Sequence, residues 1–331
     1  MKWYDIRDRR EKLRAINIII GGRGIGKTYS SLSFMLEQEA PFIYLRNTAA
    51  QMDECCSAFG NPFKRISLDT GRAIIMKAEK KHYMIYDETD GDPRLIGYGA
   101  ALSTFSNLRG VDLSDVKYAV FDEFIESRTL TFNQFTAFQG FYETVNRNRE
   151  LSGEEPFKVL MLSNSQTLRN DILAGYGLIT QIETMIRTGQ RRHSVPGLFL
   201  ELPESEISEA KRQTANYQLI AGTAAAREAL DNEFTRDSFR NVAKQNISEY
   251  RPLCIAEDQD GRMAAYYKHK SVNKYYCCGI PAWSCERFLK DQGVIFMRKY
   301  GLSLGEAATR GLLYYESYEF KILSDKLLRL T

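Results

Sequence analysis

Histidine is scarce in this chain: His82, His193 and His269 are the only three among 331 residues. The six cysteines stand as Cys55-Cys56, Cys254, Cys277-Cys278 and Cys285, so no C-x-x-C clip is available. Together these shortages argue against a zinc site and leave reduced, partly buried thiols as the reading of the cysteines. Long apolar runs are also missing; stretches such as Ile18 to Ile20 and Val159 to Leu162 fall far short of a bilayer span. The opening Met1-Lys2-Trp3-Tyr4-Asp5 is charged and aromatic rather than built like a signal peptide, so a cytosolic protein is expected. There is no internal repeat and no low-complexity tract. An N-K-x-D element is absent too, because Asn273-Lys274-Tyr275-Tyr276 lacks the acid, and this disfavours guanine recognition.

What is present is an ordinary globular composition, 44% hydrophobic and 26% charged, which disfavours disorder and coiled coil. The length allows two domains. A formal charge of +3 permits a nucleic-acid partner without arguing for one, since the position of charge matters more than its sum.

The most informative stretch is Ile16-Asn17-Ile18-Ile19-Ile20 followed by Gly21-Gly22-Arg23-Gly24-Ile25-Gly26-Lys27-Thr28. It matches G-x-x-x-x-G-K-[ST] at every fixed position. Glycines let successive backbone N–H groups point at phosphate oxygens. Lys27 would reach the β- and γ-phosphates, Thr28 would offer its hydroxyl to Mg²⁺, and the helix start adds its positive dipole end. A β-rich run before the motif and a stripe of Tyr29, Leu32, Met35 and Leu36 after it supply the strand and helix the motif needs. Gly21 to Tyr29 are therefore the expected nucleotide-binding residues. With guanine disfavoured, ATP is the default expectation for the nucleotide.

Further along, Pro41 to Arg46 reads as a strand, and Ala73 to Lys77 with His82 to Asp87 as an antiparallel hairpin. Leu95 to Thr104 reads as extended, and Val116 to Phe121 as a buried strand ending in Asp122-Glu123. Phe132, Phe135, Phe138, Tyr142 and Val145 predict an amphipathic helix over 131–149 that packs on a sheet. Lys158 to Leu162 is the next strand. Alternation of this kind implies a mostly parallel sheet with helices on both faces, that is, an α/β fold. The expected domains are 1–203, a helical linker or lid over 204–235, and a small α+β domain over 236–331. In the last, strands are expected at 253–256, 263–268 and 274–278, and helices over 283–300 and 303–329.

Asp122-Glu123 lies where a second acidic motif belongs. The aspartate can hold the water shell of Mg²⁺, and Glu123 can polarise an attacking water as general base. Asn164, just past the strand expected beside that of Asp122, either contacts the γ-phosphate or simply ends a strand. Arg147 could enter a neighbouring subunit's site or remain a solvated helix-end arginine, and Arg109 is a glycine-flanked loop cation.

These motifs, together with Phe42-Ile43-Tyr44-Leu45-Arg46, Val120 to Ile125, Arg147-Asn148-Arg149-Glu150 and Leu162-Ser163-Asn164, closely resemble the DNA packaging ATPase of small phi29-type tailed phages. Their order and spacing match over about the first 200 residues. A weaker echo covers Leu219 to Thr223 and Leu230 to Phe234. The resemblance implies an ASCE-class P-loop ATPase domain followed by a degenerate RNase H-like domain. It implies a homo-oligomeric ring, typically a pentamer, docked on the portal of a procapsid in the infected bacterial host. That ring threads double-stranded DNA inward, in some relatives with a structural RNA. By position, Lys27 and Thr28 match the phosphate-loop residues, Asp122 the Mg²⁺ acid and Glu123 the catalytic base. Arg147 matches the trans-acting arginine finger, Arg109 falls where a second trans-acting cation lies, and Asn164 matches the element coupling γ-phosphate state to movement.

The chain also departs from that pattern. Ala49 and Ala50 stand where the family carries a lysine, and Glu126 and Arg128 replace a lysine-rich run. Leu253-Cys254-Ile255-Ala256 lacks the central aspartate of a two-metal nuclease, so no nuclease activity is expected. Competing readings are a replication-type helicase or loader ATPase, and a nucleotide-regulated structural assembly module.

Overall fold

A computed structural model describes residues 2–80, 82–108, 112–126, 130–280 and 284–330. Met1–Gly175 and Thr188–Arg236 form one compact unit; Tyr176–Arg187 and Asp237–Thr331 form another.

The first unit begins with β1 (Ile16–Ile20), α1 (Lys27–Leu36), β2 (Phe42–Arg46), α2 (Ala49–Cys55) and α3 (Lys64–Thr70). β3 (Ile74–Glu79), β4 (His82–Asp87), β5 (Arg94–Ala101), β6 (Tyr118–Asp122), α4 (Gln134–Asn146), β7 (Lys158–Ser163) and α5 (Asp171–Gly175) follow. After α6 (Ile179–Thr188), which belongs almost wholly to the second unit, come β8 (Arg192–Val195), β9 (Leu198–Glu201), α7 (Glu206–Arg212), α8 (Ala215–Leu219) and α9 (Ala224–Asp231).

Nine strands make one sheet in the order β3-β4-β5-β2-β6-β7-β1-β9-β8. Pairing is parallel from β5 through β9, and only the edges carry antiparallel hairpins. β1 is buried at every residue because it has neighbours on both sides and helices on both faces, the pattern of a central parallel strand. Its one polar residue, Asn17, is satisfied: Nδ2 donates to the carbonyls of Arg14 (2.7 Å) and Val159 (3.1 Å). Strand alternation sends Val120 to the face covered by α1, α2 and α3, and Phe121 to the opposite face, where it stacks on Phe138 of α4. The aromatic stripe of α4 is thus helix-to-sheet core, as its spacing predicts, with Phe141 against Phe157 extending it.

The phosphate-loop strand β1 and the acidic strand β6 are not neighbours, for β7 pairs with both. The acid reaches the loop because α1 leans across β7; Phe34 meets Tyr118 of β6 edge-on, with ring centroids 5.5 Å apart.

The segment 204–235 folds as three short helices that bury Ile207, Ala226, Ala229, Leu230 and Phe234 within the first unit. Ser205 and Thr223 cap α7 and α9.

The second unit holds β10 (Tyr250–Glu257), β11 (Met263–His269), β12 (Tyr275–Cys278), β13 (Glu286–Phe288) and β14 (Leu313–Tyr315), with α10 (Gly293–Phe296), α11 (Leu302–Thr309) and α12 (Tyr318–Leu328). Its sheet runs β13-β10-β11-β12-β14. Two expected helices are interrupted. Residues 286–288 pair in parallel with β10, so the helix over 283–300 begins only near Gly293. Gly311, at φ +71°, stops α11, and the alternating burial of Leu313 and Tyr315 makes a strand inside the expected 303–329 helix. Asp258 is buried in the β10–β11 turn, where it accepts from Asp260 N and Arg262 N at 2.9 Å each and pairs with Arg262 and Lys326. Among the described residues no helix is long and apolar enough to cross a membrane.

Candidate nucleotide-binding site

Between β1 and α1 the chain turns through Gly24 (φ +65°) and Gly26 (φ +106°), left-handed conformations that only glycine adopts without strain. α1 starts without a side-chain cap, which leaves its first amide donors to an anion in the loop. Lys27 is buried, and its Nζ donates to the carbonyls of Gly21 (2.8 Å) and Gly22 (2.7 Å) and to Oδ1 of Asn164 (3.2 Å). Burial pushes the ammonium down to about 8; Asp122 pulls the other way, and Lys211 adds to the depression. A dehydrated cation surrounded by carbonyl dipoles is a site that a phosphate anion would complete.

Asp122 is buried at the end of β6. It accepts from Thr28 Oγ1 (3.1 Å to Oδ1), from its neighbour Glu123 N (3.1 Å) and from Tyr44 Oη (3.1 Å to Oδ2). Burial raises its carboxyl above the usual range, Arg46 opposes this, and Glu123 reinforces it. A buried carboxylate beside a hydroxyl fits a hard divalent cation, whose charge would offset the desolvation. Among the described residues no group of three or more His, Cys, Asp or Glu is placed to hold a metal ion, so a cation held by Thr28 and Asp122 would need phosphate oxygens and water for its remaining ligands.

Glu123 follows in a left-handed conformation (φ +52°), strained for glutamate, and its carboxylate is half exposed. Arg46, at the end of β2, donates from Nη2 to its Oε2 at 2.5 Å. Asn47 donates to the Glu123 carbonyl (3.1 Å), so the strained residue is held by its backbone as well.

Lys27, Thr28, Asp122, Glu123 and Asn164 therefore converge on one cleft of about 1130 Å³, which Arg23, Gly24, Gly26 and Tyr29 also line. Ile25 lies in the loop but turns inward, fully buried, and its carbonyl accepts from Tyr4 N at 3.0 Å. Arg147 does not line this cleft. It caps α4 in a left-handed conformation (φ +46°), half exposed, with Nη1 3.3 Å from Asp112 Oδ1. Arg109 and Arg128 lie outside the described residues.

Sequence reasoning missed Tyr44, Arg46, the Trp3 indole beside Gly26, and Lys211. The signal available for the first two was a tyrosine and an arginine in a strand otherwise made of buried apolar residues.

A glycine loop between a central strand and its helix, with an acid pair on a strand one place removed, defines a P-loop NTPase fold of the ASCE type. The chain matches the family described as Podovirus DNA encapsidation protein (Gp16) over residues 2–255, and it belongs to that family. The DNA packaging protein of Bacillus phage B103 is 28% identical over 241 residues, spanning 70% of this chain and 68% of that protein. That of Bacillus phage phi29 is 25% identical over 241 residues, spanning 70% and 66%. A solved structure, the bacteriophage Phi-29 viral genome packaging motor assembly, shares the fold over 99% of this chain and 98% of its own, with a TM-score of 0.71 at 19% identity. The family resemblance read from the motifs is borne out, as is the α/β P-loop fold.

Proposed function

We propose that this chain is the ATP-hydrolysing subunit of a ring motor that drives double-stranded DNA into a procapsid. The observation carrying this reading is the convergence of Lys27, Thr28, Asp122 and Glu123 on one cleft in a member of a DNA encapsidation family.

In this reading Lys27 leaves the loop carbonyls for the β- and γ-phosphates of ATP, and backbone amides of the loop and the start of α1 hold the remaining oxygens. Thr28 through its hydroxyl, and Asp122 through the cation's water shell, would hold Mg²⁺, which would neutralise phosphate charge. Glu123 takes a proton from the attacking water as the bond from the γ-phosphorus to the leaving bridge oxygen breaks. For this it must exchange its ion pair with Arg46 for the water, so Arg46 holds the base idle until the site is complete. Asn164, bonded to Lys27, reports the loss of the γ-phosphate to the end of β7. Arg147 and Arg109 act across subunit boundaries; an Arg147 that does not line its own cleft supports this. The ring, of five subunits, engages the portal, with a structural RNA as a further partner. Its grip on DNA is mainly through phosphates, so that any sequence can pass and binding weakens steeply with salt.

The test is DNA uptake into purified portal-bearing capsids. Nuclease-protected DNA should accumulate only with this protein and ATP. Capsids that fill equally well with a non-hydrolysable analogue would refute the reading. Unwinding of a forked duplex without any capsid dependence would instead support the helicase alternative.

A smaller prediction concerns Tyr44. Tyr44→Phe keeps the ring that packs on Phe63 (6.5 Å between centroids) and deletes only the hydroxyl on Asp122. Without it, the Mg²⁺ concentration for half-maximal hydrolysis should rise about tenfold, as expected for a lost hydrogen bond to a charged group. A Mg²⁺ titration matching the unsubstituted protein would remove Tyr44 from the site.

A further inference from the structure

We infer that Lys211, on α7, is a third cation of the phosphate-loop site, and that through it the α7–α9 segment is tied to the bound nucleotide. The inference rests on reading the cleft as an ATP site.

Lys211 Nζ donates to the carbonyl of Arg23, inside the glycine loop. It sits so close that a Cβ built on Gly24 would lie 2.9 Å from it. Arg23, Lys27 and Lys211 thus gather around one short loop, and among the described residues none of them forms an ion pair with a carboxylate. Burial, and then the charge of Arg23, hold the Lys211 ammonium below its ordinary value. Crowded like charges are unfavourable, and a triphosphate would bring anionic charge to the loop they surround. An ammonium on a flexible stem can trade one carbonyl for a phosphate oxygen with a small movement, gaining a charge-assisted bond.

The helices around Lys211 are placed to respond. Arg212, the next residue, pairs with Asp231 at the end of α9, which links α7 to α9. α9 presses on the same loop: a Cβ on Gly22 would lie 2.5 Å from the Ala229 carbonyl. The Glu228 carbonyl accepts from Ser165 Oγ at 3.3 Å, beside Asn164. The segment therefore touches the loop at Arg23 and Gly22 and the end of β7 at Ser165. If Lys211 binds nucleotide, linkage requires that nucleotide also stabilise α7–α9 on the loop. Changes in phosphate occupancy would then reach residues 206–231 directly.

The experiment uses the full chain, a fluorescent ATP analogue with Mg²⁺ for affinity, and amide hydrogen exchange of residues 206–231 with and without that nucleotide. Lys211→Met should bind about tenfold more weakly and lose the nucleotide-induced slowing of exchange in the segment. Lys211→Arg should keep most of both. Should the methionine variant lack a melting transition, Lys211→Gln replaces it. Affinity and exchange in Lys211→Met equal to those of the unsubstituted chain would overturn the inference while leaving the ATP site intact. Weaker binding with the slowing of exchange retained would overturn the tie to the helices. An unsubstituted chain that binds no ATP would overturn the site reading itself.

Discussion

Replacing Glu123 by glutamine should leave ATP binding intact and cut turnover about 10²–10⁴-fold, the usual share of a positioned general base. The separation is expected because Glu123 touches none of the groups that hold phosphate. Lys27 is engaged by Gly21, Gly22 and Asn164, and Thr28 by Asp122. Glutamine preserves the length of the side chain and can still accept from Arg46, so the strained backbone at position 123 loses no support. What it cannot do is take a proton from water. Asp122→Asn should behave differently, because it removes the charge beside Thr28 and should weaken Mg²⁺-dependent binding as well as turnover. Equilibrium binding of a labelled nucleotide and steady-state phosphate release distinguish the two. Hydrolysis unchanged in Glu123→Gln would take this residue out of the mechanism.

Arg147→Ala and Lys27→Ala should each abolish hydrolysis almost completely, and a mixture of the two should regain part of it. An arginine stabilising the transferring phosphoryl group is worth about 10³–10⁵ in rate. Its place in this chain, at the half-exposed end of α4 and outside the cleft of its own subunit, is one from which it can serve a neighbour. In a ring with head-to-tail contacts, each interface takes its loop from one subunit and its arginine from the next. Random mixing at equal amounts would pair an intact loop with an intact arginine at about a quarter of interfaces. A mixture as inactive as either parent, with mixed rings demonstrated by mass, would place Arg147 outside any shared site.

Much of the first unit could be read from local pattern. The β1–loop–α1 passage, the β3–β4 hairpin, β6 with its terminal acids and the stripe of α4 all declare themselves within windows of five to fifteen residues, where periodicity and turn chemistry act. Other features were illegible because they arise from pairing between distant segments. The insertion of β7 between β1 and β6 is a property of sheet order, which no window contains. Tyr44 and Arg46 join the acids only because β2 lies beside β6, and Lys211 meets Arg23 across 188 positions of sequence. In the second unit, β13 and β14 span only three residues each and sit inside stretches whose apolar spacing also suits a helix. There tertiary pairing overrode local preference.

The crowding around Gly21 and Gly22 bears on engineering. Added methyls at these positions would strike Pro203 (2.9 Å) and the Ala229 carbonyl (2.5 Å), so the loop's small residues accommodate protein on one side as well as ligand on the other. Grafting this motif into a related enzyme, or exchanging it among phages, would therefore have to carry residues 203 and 229 along with it. The transplantable module is a three-part patch drawn from separate stretches of chain, rather than a contiguous octapeptide.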